Sequence, residues 1–129
     1  MRFKFDLNFF LIIILVIFAV VSRLIPHPPN FSPVGGIAIF AATKFYDKKF
    51  AILIPLITLF LSDIFLGLSL INLFVYLSFI LISIFVIISK IQLIKKIFIA
   101  SLIFFFVTNF GVWLLGYPKQ LRDLLIVFY

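Results

Sequence analysis

Cysteine is absent from the chain, which excludes disulfides, zinc-thiolate centres and thiol catalysis. A single histidine, His27, has no second His or Cys to join it, so no metal site is expected. No Gly-rich loop followed by Lys occurs, which removes ATP hydrolysis of the P-loop kind. Charge is scarce at 12% of residues, against roughly 25% in an ordinary soluble domain. No serine, histidine and acid set can be assembled. His27 with Asp63 as an acid-base pair lacks a nucleophile and an oxyanion site. The expectation is a protein that is not an enzyme and holds no cofactor.

Apolar residues fill the space that charge leaves. They make up 66% of 129 residues, with a mean hydropathy of +1.40, more than one water-soluble core could bury. The sequence reads as an all-α, polytopic transmembrane helix bundle, one domain over residues 1–129. A hydrocarbon layer of ~30 Å needs about 20 helical residues. Four runs qualify: Phe9 to Ile25, Phe50 to Leu68, Leu70 to Ser89 and Ile97 to Leu115. A fifth, Pro33 to Tyr46, is only about 21 Å long as a helix; it crosses as a short helix or re-enters. Leu124 to Tyr129 starts a sixth run, expected to belong to a truncated helix, with a surface-lying tail as the alternative. Arg2 and Lys4 precede the first run as in a signal peptide. No small-x-small cleavage site follows, so that span is expected to be retained.

The net charge of +7 arises from short basic clusters between apolar runs, the pattern of a membrane topology signal and not of a nucleic-acid surface. With the short segment crossing and the N-terminus inside, the cytoplasm receives Arg2, Lys4, Lys44, Lys48, Lys49, Lys90, Lys95 and Lys96. The outside keeps only Arg23, Lys119 and Arg122. Without the crossing, most of these charges face outward, against the positive-inside rule. Five spans plus the start of a sixth, in a bacterial cytoplasmic (inner) membrane, are therefore expected.

That topology gathers the unusual polar residues near the outer leaflet. Arg23 ends the first span, Asp63 lies about 7 Å below the outer end of its span, and Asn109 about 9 Å below that of the last. An unpaired Asp in a bilayer costs about 2.5 to 3.5 kcal/mol on insertion scales, and Arg23 is the cation placed to reach Asp63. Both residues would line a solute pocket. Alternatively Arg23 snorkels to head groups and Asp63 caps a helix end near Gly67. Pro26, Pro28 and Pro29 stiffen His27 to Phe31, Asn30 included, into an extended lid. Ser32 reads as an N-cap and Pro33 as a first helical residue. Gly35 and Gly36 then leave the first turn bare, either for an anionic group or for close helix packing. Ala38 and Ala42 make a small-xxx-small face for a partner helix. Trp113 shares a face with Asn109 and would stack on a solute; as an alternative, Trp113 and Tyr117 form an aromatic belt.

The stretches SRLIPHPPNFSPVGGIAIFAATKF, YDKK, AILIPLITLFLSDIFLG and VTNFGVWLLGYPK resemble an uncharacterised bacterial family of small integral membrane proteins ascribed to transport. Its layout is in turn similar to the substrate-binding S components of energy-coupling factor transporters. The resemblance implies six helices, an outward pocket capped by the first loop, and as partners a transmembrane scaffold subunit and ATPase subunits. It also implies that Ala38 to Ala42 presents the small-residue motif to the scaffold.

The sequence thus points to a solute-binding component that captures a small metabolite with an anionic group from the outer side. Membrane lipid surrounds it, and nucleic acid is not a partner. An assembly subunit of an envelope complex and a membrane enzyme acting on a lipid-linked substrate are the alternatives.

Overall fold

The computed structural model describes residues 7–26, 33–44, 47–116 and 121–128. They form six helices: α1 (Leu7–Leu24), α2 (Val34–Lys44), α3 (Lys48–Leu66), α4 (Ile71–Ile88), α5 (Leu93–Gly116) and α6 (Leu121–Phe128). The described chain is all-helical. α3, α4 and α5 are long and apolar enough to cross a membrane, whereas α1 and α2 contribute shorter apolar stretches. Large apolar side chains such as Phe65, Ile94 and Phe98 stand exposed on the outside. An aqueous domain does not tolerate so much contiguous apolar surface, whereas lipid does.

α2 is the centre of the packing. It lies against α3, α4 and α5, and α1 packs mainly on α3 with a smaller contact to α2. Val34, Ala38 and Ala41 on α2 are fully enclosed, with Ile54 and Leu59 of α3 and Ile82 and Val86 of α4 filling the core around them. An 11-residue helix spans only about 16 Å, so its ends need partners from the protein itself. Lys48 Nζ supplies one by donating to the Ala42 carbonyl at 3.0 Å. Lys96 Nζ does the same for α4, reaching the Val86 carbonyl at 3.1 Å.

These contacts, with Arg23 of α1 meeting Asp63 of α3, show that successive helices run in alternating directions. Lys44, Lys48, Lys49, Lys90, Lys95 and Lys96 gather at one end of the bundle, and Arg23 with the start of α2 lies at the other.

Several boundaries differ from the sequence reading. α5 begins at Leu93 and not Ile97, because a lysine interrupts an apolar run without interrupting a helix when its amine has a carbonyl to cap. α2 begins at Val34; Pro33 stands just before it and accepts from Ile37 N at 2.9 Å. Ser32 lies outside the described residues. α3 starts two residues before Phe50, where the Asp47 side chain accepts from Lys49 N at 3.0 Å. It stops at Gly67, whose φ of 101° disfavours any residue with a Cβ.

Pro55 sits inside α3 and has no N–H to give to the carbonyl four residues earlier, that of Ala51. Ser83 Oγ of α4 donates to that same carbonyl at 3.0 Å. The bond repairs the backbone gap and ties α3 to α4 in a fully buried place. Ser83→Ala is expected to destabilise the bundle by about 1 kcal/mol, since a buried carbonyl loses its only replacement donor. Denaturant titration in detergent checks this, and Ser83→Thr, which keeps the hydroxyl, should restore most of the loss.

Candidate functional site

The last turn of α1, the penultimate turn of α3 and the second turn of α4 meet in a polar knot. Arg23 Nη1 lies 2.9 Å from Asp63 Oδ1, with the Asp63 side chain 4% and that of Arg23 18% exposed. Tyr76 Oη donates to Asp63 Oδ2 at 2.7 Å, so both carboxylate oxygens are engaged within the chain. Arg23 Nη1 also donates to the Leu59 carbonyl at 3.3 Å and to Ser62 Oγ. Ser62 Oγ in turn donates to the Thr58 carbonyl at 2.9 Å. Thr58 Oγ1, one turn deeper on α3, is enclosed without a hydrogen-bond partner among the described residues. The side chain of Asp63 therefore does not cap the end of α3: its backbone carbonyl does, accepting from Gly67 N at 2.8 Å. This largely buried pair, with both carboxylate oxygens engaged, holds three helices in register, because losing one member would strand the other.

A cavity of about 550 Å³ opens elsewhere, between α2, α4 and α5. Gly35 and Gly36 line it from the first turn of α2, Phe79 and Ile82 from α4, and Ser101, Phe104, Phe105, Thr108 and Asn109 from α5. Its size falls in the range of small-molecule sites. Close packing against the described residues does not account for the glycines, since a Cβ built on Gly35 or Gly36 meets nothing within 4 Å.

Neighbouring stripes of α4 serve these two regions. Tyr76 and Ser83, seven residues apart, hydrogen-bond to α3, while Phe79, which lies between them at i+3 and i−4, and Ile82, one step further round, line the cleft. The residues expected to share one pocket are thereby divided. Gly35, Gly36 and Asn109 line the cleft, whereas Arg23, Asp63 and Trp113 do not. Trp113 rests in a tilted contact on Phe110, ring centroids 5.6 Å apart. Ala38 and Ala42 are enclosed within the chain's own core. His27, Asn30 and Tyr117 lie outside the described residues. Sequence reasoning missed Ser62, Tyr76 and Ser83. A hydroxyl in an otherwise apolar helix, set at a depth where an aspartate or a proline needs a partner, was the available signal for the last two.

Among the described residues no group of three or more His, Cys, Asp and Glu is placed to hold a metal. Ser101, Thr108 and Asn109 are the polar side chains the cleft offers.

A family profile covers residues 3–129. The chain belongs to DUF6580, a family of unknown function. No curated protein matches the chain, and no solved structure does. None of these comparisons ties this DUF6580 member to energy-coupling factor S components.

Proposed function

We propose that this DUF6580 chain is a membrane-embedded solute-binding component that takes a small molecule into the cleft between α2, α4 and α5. The cleft itself carries the reading. It is a cavity of about 550 Å³ with aromatic walls, a bare helix start at one side and three polar side chains across from it, the combination that small-molecule sites share. The lysine end faces the cytoplasm by the positive-inside rule, which opens the start of α2 to the outside. α1 and α2 then cross with α3, α4 and α5, giving five spans in the inner membrane with the N-terminus inside. The short α2 is sheltered at membrane depth by α3 and α4. Transport itself would be completed by a scaffold subunit with its ATPases.

In this reading the Arg23, Asp63 and Tyr76 knot is the frame and the cleft is the site. Native mass spectrometry of the protein extracted from its own membrane in mild detergent tests it. The wild type should carry a water-soluble small molecule, and Gly36→Leu should lose it. The variant should keep its helix content, because the added side chain enters open space and leucine is the better helix former by roughly 0.8 kcal/mol. A wild-type chain that carries no such molecule and is bound stoichiometrically to one envelope protein would overturn the reading in favour of an assembly subunit.

A further inference from the structure

We propose that the solute of the cleft is an uncharged ring compound that donates hydrogen bonds towards α5 and accepts them from the start of α2; this rests on the cleft being a solute site. Charge is the first argument. Among the described residues no Asp, Glu, Lys, Arg or His lines the cavity. The charge of Arg23 is already matched by Asp63 at 2.9 Å, and neither residue lines the cavity. A net charge brought into these walls would stay unpaired, which apolar surroundings penalise heavily.

The walls supply the second argument. Phe79 and Phe104 meet at 5.6 Å and 56°, and both line the cavity with Phe105. Such faces suit another ring in an offset or tilted contact.

Hydrogen-bond accounting on α5 supplies the third. Ser101 Oγ donates to the Ile97 carbonyl at 2.9 Å, and Thr108 Oγ1 to the Phe104 carbonyl at 2.7 Å. Asn109 Nδ2 donates to the Phe105 carbonyl at 2.9 Å. A carbonyl can only accept, so it is the amide nitrogen of Asn109 that faces its own helix, and Oδ1 is left over. Each hydroxyl has spent its one proton and keeps lone pairs. The polar side chains of α5 therefore offer the cleft mainly acceptors, with the second amide N–H of Asn109 as a remaining donor.

α2 offers the reverse. The N–H groups of a first helical turn have no acceptor within the helix, and at Gly35 and Gly36 no side chain of the described residues covers them. An anion would satisfy α2 but meet the oxygens of α5, and an ammonium would satisfy α5 but meet the positive end of α2. A ring bearing an amide or lactam, N–H on one edge and C=O on another, satisfies both.

Benzamide, benzoate and benzylammonium are near-isosteric probes of these three cases. Their binding to the protein in nanodiscs is read by saturation-transfer NMR, with Gly36→Leu as the blank for partition into lipid. Benzamide is expected to bind at least about tenfold more tightly than either ion, and Asn109→Leu to weaken it by about tenfold by removing one acceptor. If benzoate or benzylammonium shows the tightest Gly36-dependent binding, the inference is overturned while the solute-binding reading stands. If no probe distinguishes wild type from Gly36→Leu, the cleft is not a solute site and both fall.

Discussion

Asp63→Ala is expected to destabilise the bundle by about 3 kcal/mol, the low end of what breaking a buried ion pair costs. The variant leaves the Arg23 guanidinium with only Ser62 Oγ and the Leu59 carbonyl and the Tyr76 hydroxyl without its acceptor. The low end applies because Arg23 is 18% exposed and its long stem lets it snorkel towards the interface. Removing both charges has a different consequence. Arg23→Met with Asp63→Leu takes away two desolvation penalties together with the attraction, and should recover most of the lost stability. Asp63→Asn should fall between, keeping an acceptor for Tyr76 but no countercharge. Reversible unfolding in mixed micelles measures the series. If Asp63→Ala abolishes solute retention without lowering stability, Asp63 belongs to the binding site and the division into frame and cleft is wrong.

The Arg23 and Asp63 pairing was legible from sequence for a physical reason: an aspartate within an apolar helix demands a cation, and only one lay at its depth. The all-helical class followed from run length and hydropathy in the same way. The third member of the knot was signalled only by its hydroxyl, which sets Tyr76 apart from the phenylalanines of α4, and that signal was passed over. The division into two regions was not legible. Asn72, Tyr76 and Ser83 share one stripe of α4 and mark the side towards α3, but nothing in the otherwise apolar helix marks where the cleft begins. The start of α5 was misplaced because hydropathy registers the charge of Lys95 and Lys96 and takes no account of the carbonyl that Lys96 caps. The glycines at 35 and 36 were ambiguous between packing and access, and only their surroundings decide that.

Neighbouring side chains of α4 thus fix the frame and shape the site, and the helix couples the two. Tyr76 and Ser83 hold it to α3 by two hydrogen bonds. Phe79 and Ile82, on the same rigid rod, are thereby placed opposite α5. Damage to the knot should reach the cleft indirectly, through the position of α4, and so should lower affinity and stability together. Substitutions inside the cleft should lower affinity alone. That contrast separates a residue that touches the solute from one that holds the wall.

How closely α5 approaches α4 is set by a residue that sequence reading passed over. A Cβ on Gly111 would lie 2.3 Å from Phe74 Cγ, 2.6 Å from Cδ2 and 2.7 Å from Cβ. The ring can turn away, but the Phe74 Cβ moves only with the backbone of α4. Gly111→Ala must therefore push the two helices apart by on the order of an ångström to restore contact distance. Overpacking of this kind costs up to about 3 kcal/mol, while alanine returns about 1 kcal/mol of helix propensity. The clash wins, leaving a net loss of about 2 kcal/mol. Pairing Gly111→Ala with Phe74→Ala removes the ring contacts, so the double variant should be less destabilised than the sum of the singles by at least about 1 kcal/mol. Thr108 and Asn109 lie within a turn of Gly111, so moving α5 outward also widens the cleft at its polar wall, and solute affinity should fall in the same variant. A Gly111→Ala protein as stable as the wild type would mean that α5 does not seat on Phe74, and the cleft between α2, α4 and α5 would lose the contact that sets its width.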